Sequence, residues 1–395
     1  MKVAYISNLP FADADFPLVR EMQRQGVDVY FFIYVSVYSH RATLVDIPEV
    51  YRKQGIFPAT VYEEFKAYEG YMDMSKVFVV NSLHQSDFHP ANICTMLSLV
   101  SKIKKLGVDA VNITWPPRRN KMLLYLLRKK LVFTLHDPFP HSAKNNREFE
   151  FCRKLAFRWI PKIILLNDAQ TEKFCETYKF PRNRLFHARL GKYDCINYLS
   201  EKYSGSQENS AGLPESLRGQ KYILFFGLIA PYKGVEFLLQ AFGKLQQKHP
   251  DIKLLIAGSG KLYFDESLYR GNANVVLMNR YVPLAQLADL LKNALFTVCP
   301  YKDATQSGVV QTAFSMGTPI VATDVGNFAK AIENGKSGVI VPPCDVNALA
   351  EAMADLVEHP EKLESFRKYI AGEWLERNGW EEVVTQYLNC YEARV

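Results

Sequence analysis

Several signatures that define whole classes of protein are missing from this sequence. The seven cysteines are scattered without a C-x-x-C pair, and the eight histidines show no H-E-x-x-H spacing. A disulfide framework, a zinc ribbon and a metal site are therefore disfavoured. No apolar run approaches the roughly 20 residues that cross a bilayer. A strand-like segment starts at Lys2, which leaves no room for a signal peptide, so we expect a cytoplasmic chain.

The length and the charge distribution bound the remaining possibilities. A chain of 395 residues is too long for one ordinary core, so two domains are expected. Residues 1–195 carry 29 Lys and Arg against 19 Asp and Glu, whereas the remainder carries 19 against 22. A basic first half predicts an anionic partner such as a membrane surface, although a solvated surface without a partner fits the same counts. We expect peripheral membrane contact on the inner face and no nucleic acid.

Strand-like and helix-like segments alternate along the whole chain, which predicts an α/β fold with parallel sheets. The loop NLPFADADF after the first strand lacks G-x-G-x-x-G, so NAD is disfavoured. A polar, Ser- and Gly-rich stretch at 197–219 is predicted to be a linker. The alternation also suits a (β/α)₈ barrel, but the length, the polar break and the unequal charge favour two doubly wound domains facing a cleft. We predict a first domain over 1–196, a second over 197–375, and a last helix over 376–395 that packs back on the first.

The stretch YILFFGLIAPYKGVEFLLQAF at 222–242 organises the second domain. A buried strand runs into a short loop, and a helix begins at about Gly234. Ligands bind at the carboxyl ends of strands in open parallel sheets, and a helix amino terminus suits a phosphate. Lys233 adds a full charge in this loop.

Two segments of the first half allow more than one interpretation. His136 and Asp137 follow the strand LVFTL, where a catalytic or ligand contact and a simple turn residue fit equally well. The segment RRNKMLLYLLRKK is predicted to be a helix with Leu123, Leu124 and Leu127 inward. It suits an ordinary surface helix whose Lys and Arg stems lie along apolar surface, or an interfacial membrane helix.

Four segments in the second half, namely FFGLIAPYKG, IAGSG, SGVVQTAFSMGTPIVATDVG and NGKSGVIVPPCD, resemble those of the retaining glycosyltransferases of family four, which have the GT-B fold. The first half resembles the family more loosely, through TLHDPFPH and LGKYD. The resemblance implies two Rossmann-like domains facing a cleft, a UDP- or GDP-linked sugar donor held by the second domain, an acceptor held by the first, and no metal or cofactor. Bacterial members that build surface polysaccharides or glycolipids are the most similar in kind.

The resemblance also implies roles for individual residues. Lys233 and His136 match the phosphate-binding Lys and a His near the reaction centre, and we expect Asn8 and Asp137 to contact the acceptor. The donor-binding residues that we expect are Gly227, Lys233, Gly258, Tyr281, Val282, Ser307, Gly308, Val309, Gln311 and Thr312. For Tyr281, simple packing at the cleft edge fits as well as a contact to the nucleobase.

The sequence departs from the family pattern at several places. The usual pair of Glu residues is replaced by Ala304 or Thr305 and by Gln311 or Thr312, depending on a one-residue choice of alignment, and a frequent Arg is Leu228. An amide at Gln311 still offers donors and an acceptor for ribose hydroxyls. The departures leave a second hypothesis open, a catalytically inactive donor-binding subunit of a partner enzyme. A nucleotide-sugar epimerase and a glycoside hydrolase remain weaker alternatives.

Overall fold

The chain divides into two compact α/β units, residues 1–191 with 379–395, and residues 192–378. The computed structural model describes residues 1–39, 42, 44–48, 52–115, 119–136, 138–139, 147–166, 168–203, 212–304 and 308–394. Each unit carries its own mainly parallel sheet, so the predicted pair of Rossmann-like domains is confirmed.

The first unit is built on an eight-stranded sheet in the order β3-β4-β2-β1-β5-β6-β7-β8. The strands are β1 (Lys2–Asn8), β2 (Asp28–Ser36), β3 (Gly55–Pro58), β4 (Val77–Ser82), β5 (Ala110–Ile113), β6 (Leu131–Leu135), β7 (Lys162–Leu165) and β8 (Leu185–His187). The helices are α1 (Ala12–Arg24), α2 (Glu63–Lys66), α3 (Pro90–Leu106), α4 (Arg147–Trp159), α5 (Thr171–Tyr178) and, at the end of the chain, α14 (Glu381–Glu392). Only β3 runs antiparallel, on β4. Strands such as β5 and β6 are buried along their whole length, as a sheet covered on both faces requires.

One sequence prediction for this unit needs correction. The segment Arg119–Lys130, which was predicted to be a helix, is a 3₁₀ helix rather than an α-helix. Between β2 and β4 the chain also contributes the edge strand β3.

The C-terminal helix α14 belongs to the first unit. Tyr387 and Tyr391 are buried in the unit's core. The ammonium of Lys162 donates to the carbonyl oxygens of Tyr391 at 2.8 Å and Ala393 at 3.1 Å. A cation at the end of a helix satisfies orphan carbonyls and complements the helix dipole, so β7 fixes this helix.

The second unit has a six-stranded parallel sheet in the order β11-β10-β9-β12-β13-β14. The strands are β9 (Tyr222–Phe226), β10 (Lys253–Ala257), β11 (Val275–Met278), β12 (Thr297–Cys299), β13 (Ile320–Thr323) and β14 (Gly338–Val341). The helices are α6 (Asp194–Tyr203), α7 (Val235–Lys248), α8 (Leu284–Asn293), α9 (Gly308–Ser315), α10 (Phe328–Ala331), α11 (Val346–Glu358), α12 (Pro360–Tyr369) and α13 (Leu375–Arg377). Asp345 caps α11 by accepting from the backbone N–H groups of Asn347 and Ala348.

The predicted linker at 197–219 is wrong in its first part. Residues up to Tyr203 continue α6, and the ammonium of Lys292 on α8 donates to the Ser200 hydroxyl at 2.8 Å. The division between the units therefore falls after Gly191 and not after 196. Residues 204–211 lie outside the described part of the chain.

No helix in the described ranges is both long and apolar enough to span a bilayer. Across the same ranges, no three His, Cys, Asp or Glu side chains converge on a possible metal position.

Candidate functional site

The loop that follows β9 and carries Lys233 lies at the switch point of the second sheet. β9 pairs with β10 on one side and with β12 on the other, and the strand order reverses between β9 and β12. In open α/β sheets, the crevice at the carboxyl ends of two such strands is where ligands bind. The loops that leave this point include residues 227–234 after β9 and residues 300–304 after β12.

These two loops are held together by their backbones. The N–H of Lys302 donates to the carbonyl oxygen of Tyr232 at 2.8 Å. Gly234 has a φ of +65°, and a Cβ at this position would overlap the carbonyl oxygen of Pro300. Only glycine accepts this backbone conformation at such a close approach, so Gly234 sets the position of the preceding Lys233.

Lys233 is a buried cation. Its residue is 9% exposed, and its Nζ lies 3.8 Å from the centroid of the Tyr301 ring and 5.1 Å from that of Tyr232. Burial lowers the pKa of Lys233 from 10.5 to about 8. Burial also raises the pKa of the neighbouring Cys299 thiol to about 12, so this thiol is neutral at pH 7 and gives the ammonium no charge partner.

Among the described residues, no carboxylate pairs with Lys233. The aromatic rings compensate in part through cation–π attraction, but a desolvated ammonium without an anion is costly. The arrangement therefore suits an anionic ligand that brings its own negative charge.

The amino terminus of α9 faces the same point. Val309 approaches within 3.6 Å of the position that a Cβ on Gly227 would occupy. Gly308 begins the helix, and a Cβ there would lie 3.4 Å from the ring of Tyr193. A helix start offers unpaired N–H groups and a positive dipole end. Ser307, which was predicted to join this group, lies outside the described residues.

Gln311 and Thr312 lie in the body of α9 and are 8% and 5% exposed. The side-chain oxygen Oε1 of Gln311 is buried, and no hydrogen-bond donor reaches it from the described part of the chain. Because buried polar atoms are nearly always paired, we expect this oxygen to accept from a donor outside the described residues.

Gly258, Tyr281 and Val282 lie on the β10 and β11 side of the same edge. A Cβ on Gly258 would overlap the carbonyl oxygen of Gly227, so the two loops touch through backbone alone. Asn279 fixes the loop after β10 because its amide both accepts from and donates to the Gly260 backbone at 3.0 Å. Tyr281 is half-buried and Val282 is 9% exposed, directly after this fixed point.

In the first unit, Asn8 and His136 lie at the carboxyl ends of β1 and β6. Phe11 joins them, since it follows Asn8 in the loop and stacks on the His136 ring with centroids 4.5 Å apart and planes at 23°. His136 is half-buried. Asp137, the other predicted acceptor residue, lies outside the described residues.

A buried carboxyl group lies beneath this loop. Asp15 is 2% exposed and accepts from the hydroxyls of Tyr5, at 2.8 Å, and Ser7. Burial raises its pKa to about 7, and the two hydroxyl donors oppose that rise. Asp15 therefore helps to hold the start of α1 against β1.

Four residues that shape these regions were not identified from the sequence, namely Phe11, Asp15, Asn279 and Tyr301. Phe11 and Asp15 belong to NLPFADADF, whose departure from the Gly-rich pattern was noticed but not interpreted residue by residue. No local sequence pattern indicated a role for Tyr301, because only the pairing of β9 with β12 brings it under Lys233.

Comparisons with known proteins agree with this organisation. Residues 209–372 match the family model described as "Glycosyl transferases group 1". Spore coat protein SA of Bacillus subtilis (strain 168) is 24% identical over 78% of this chain and 80% of its own length. A D-inositol 3-phosphate glycosyltransferase of Paenarthrobacter aurescens is 31% identical, but the match covers 46% of this chain and only 47% of that protein. The solved structure of Anabaena HepE in complex with UDP-glucose superposes with a TM-score of 0.65 at 13% identity, covering 98% of this chain and 99% of that one.

Proposed function

We propose that this chain, whose residues 209–372 match the group 1 glycosyl transferases, is a retaining, metal-independent glycosyltransferase that uses a nucleoside diphosphate sugar as its donor. The observation that carries the proposal is the buried Lys233 ammonium at the switch point of the second unit. It has no carboxylate partner in the described residues, and the amino terminus of α9 approaches Gly227 at the start of the same loop. Both features favour a diphosphate.

The donor's diphosphate would bind to Lys233 and to the first N–H groups of α9. Gly258 and Gly227 leave room for close backbone approach, and the Gln311 Oε1 would accept from a ribose hydroxyl. Tyr281 and Val282 would contact the nucleobase. These assignments use groups that are either buried without a partner or held at the carboxyl edge of the sheet.

In the reaction, the bond between the anomeric carbon and the donor phosphate oxygen breaks, and a bond to the acceptor hydroxyl oxygen forms. Negative charge grows on the leaving diphosphate, and Lys233 stabilises it more strongly than in the ground state. We propose that the leaving phosphate takes the acceptor's proton, since the usual Glu pair is absent. Attack on the face that the leaving group vacates retains the anomeric configuration.

In the first unit, His136 would contact the transferred sugar and Asn8 the acceptor. Phe11 acts as a positioning residue, since its stacked ring fixes the His136 imidazole. The acceptor class that we propose is a glycan or a lipid-linked glycan, as the family resemblance implies. The competing hypothesis, an inactive donor-binding subunit, is less favoured, because the D-inositol 3-phosphate glycosyltransferase that matches part of this chain is named for its transferase activity.

The test is turnover of a panel of UDP- and GDP-linked sugars by the purified chain, with and without glycan acceptors. Slow donor hydrolysis and glycoside formation with a retained anomeric configuration, read by NMR, are the expected results. Lys233→Met should weaken binding of the nucleoside diphosphate by about 10- to 100-fold, since a hydrogen bond to a charged group contributes about 1.5–3 kcal/mol. Lys248→Met, at an exposed position on α7, is the matched control. Binding without turnover across the panel would favour the inactive subunit instead.

A further inference from the structure

A cationic surface with an apolar cavity lies on the first unit, away from the residues discussed so far. The cavity has a volume of about 270 Å³. Its floor consists of buried side chains such as Ile103, Val108 and Leu127. Its rim carries Lys104, Leu126, Arg128, Lys129 and Lys130. We call this rim, together with Trp159, the amino-edge patch.

The patch lies at the amino ends of two strands. Val108 precedes β5 and Lys130 precedes β6, and the Lys130 ammonium donates to the carbonyl oxygen of Val108. β1, β5 and β6 are parallel, so Asn8 and His136, which follow β1 and β6, lie at the opposite edge of the same sheet. Occupation of the patch therefore leaves the predicted acceptor residues uncovered.

The 3₁₀ geometry of residues 119–130 explains why an apolar side chain is exposed here. With 3.0 residues per turn, side chains three apart lie in one row. Leu124 and Leu127 form the inward row and are buried. Leu126 and Lys129 share another row that faces outward, and Leu126 is 52% exposed.

Trp159 extends the exposed apolar surface beside the cavity. It is 55% exposed, and its ring lies 6.5 Å from that of Tyr125, the neighbour of Leu126 in the chain. Amphipathic Trp side chains that are partly exposed to water are favoured at the boundary between water and lipid. The 3₁₀ segment and the end of α4 thus each present an exposed apolar side chain, Leu126 and Trp159, and the two elements meet where Trp159 lies beside Tyr125.

The charge around the patch is mainly positive. Residues 101–134 contain nine Lys and Arg and a single acidic residue, Asp109. The Asp109 carboxylate accepts from the backbone N–H of Lys2. Within the described ranges, no carboxylate pairs with Lys104, Arg128 or Lys129, so their charge is available to an anionic partner.

We propose that the amino-edge patch docks this protein on an anionic membrane surface, with Leu126 and Trp159 in the interface and the cations above it. Exposed apolar side chains flanked by Lys and Arg are the chemistry of interfacial binding. Nucleic acid would match the charge but not the apolar cavity floor. This inference goes beyond the proposed transfer reaction and does not depend on it.

The test is co-sedimentation of the full chain with phosphatidylcholine vesicles, with and without phosphatidylglycerol, at low and high salt. Binding should require phosphatidylglycerol and weaken as salt rises, because exposed charges are screened. Arg128→Glu with Lys129→Glu should weaken vesicle binding by at least about tenfold, since each surface cation contributes about 1 kcal/mol. The double variant Leu126→Ala with Trp159→Ala should bind vesicles more weakly. Its binding should still depend on salt, because the cations remain.

The matched control is Lys221→Glu with Lys248→Glu, which changes the net charge equally at exposed positions of the second unit. It should bind vesicles almost as the parent chain does. Equal losses in the control and patch variants, or no binding at low salt, would overturn the proposal. So would retention by duplex DNA without retention by vesicles. Thermal unfolding of each variant separates lost binding from lost folding, and turnover of a soluble acceptor by the patch variants should stay unchanged.

Discussion

The ammonium nitrogen of Lys233 lies 3.8 Å from the centroid of the Tyr301 ring, in a setting where the aromatic face supplies the negative potential that a carboxylate would otherwise provide. A ring quadrupole attracts a cation without fixing it in a salt bridge. An incoming diphosphate therefore does not have to displace a protein anion.

The affinity for a nucleoside diphosphate should fall as pH rises above about 8. Burial lowers the pKa of Lys233 to about 8, so the free protein loses this charge above that pH, and binding must then take up a proton. Isothermal titration with UDP and GDP between pH 6.5 and 9.5 measures the change. A flat profile would contradict the role of Lys233. Linkage also predicts that the contribution of Lys233 to the free energy of unfolding rises as pH increases from about 8 to 10.5. In this range only the unfolded chain holds the proton.

Gln311→Leu should separate donor binding from folding. The buried Oε1 has no partner in the described residues, so its removal should leave the free energy of unfolding unchanged or raise it by about 1 kcal/mol. Donor affinity should fall, because the proposed ribose contact is lost. Chemical denaturation and UDP titration of one preparation measure both. A large loss of stability would mean that the amide is satisfied within the protein.

Gly234→Ala should destabilise the second unit by about 2 kcal/mol or more, since the alanine meets both an unfavourable φ and the Pro300 carbonyl. Gly335→Ala is the matched control, because Gly335 also has a positive φ, +77°, but open space around its Cβ position. The control isolates the cost of the backbone conformation. If both variants lose the same stability, the contact between the β9 and β12 loops is not tight in solution.

Asp15→Asn should change how stability depends on pH. Burial raises the pKa of Asp15 from 3.8 to about 7, so the folded chain holds a proton that the unfolded chain has released. Stability should therefore fall as pH rises from about 4 to about 7, by on the order of 4 kcal/mol from this carboxyl. The amide variant should flatten that decline. Urea denaturation at several pH values measures the free energy of unfolding of the parent protein and of the variant. If stability falls equally with pH in both, Asp15 is not the group involved.

Much of the architecture could be predicted because each element carries its own local signal. The apolar runs of β9 and β10, the cap at Asp345 and the strand-loop-helix order around Lys233 are all local. The 3₁₀ helix at 119–130 was missed because its apolar spacing suits an α-helix as well, and only packing against α3 and β5 distinguishes the two. α6 was missed in part because a polar stretch follows it directly.

The sequence by itself determined that the chain forms two α/β units, that Lys233 stands between a strand and a helix, and that a Glu pair is absent. These are properties of residue type, spacing and periodicity. Only the tertiary structure decided that Tyr301 lies under Lys233, that Phe11 stacks on His136, and that the Trp159 ring lies beside the Tyr125 ring. The physical reason is that strand order, which no local pattern encodes, brings together residues that are distant along the chain.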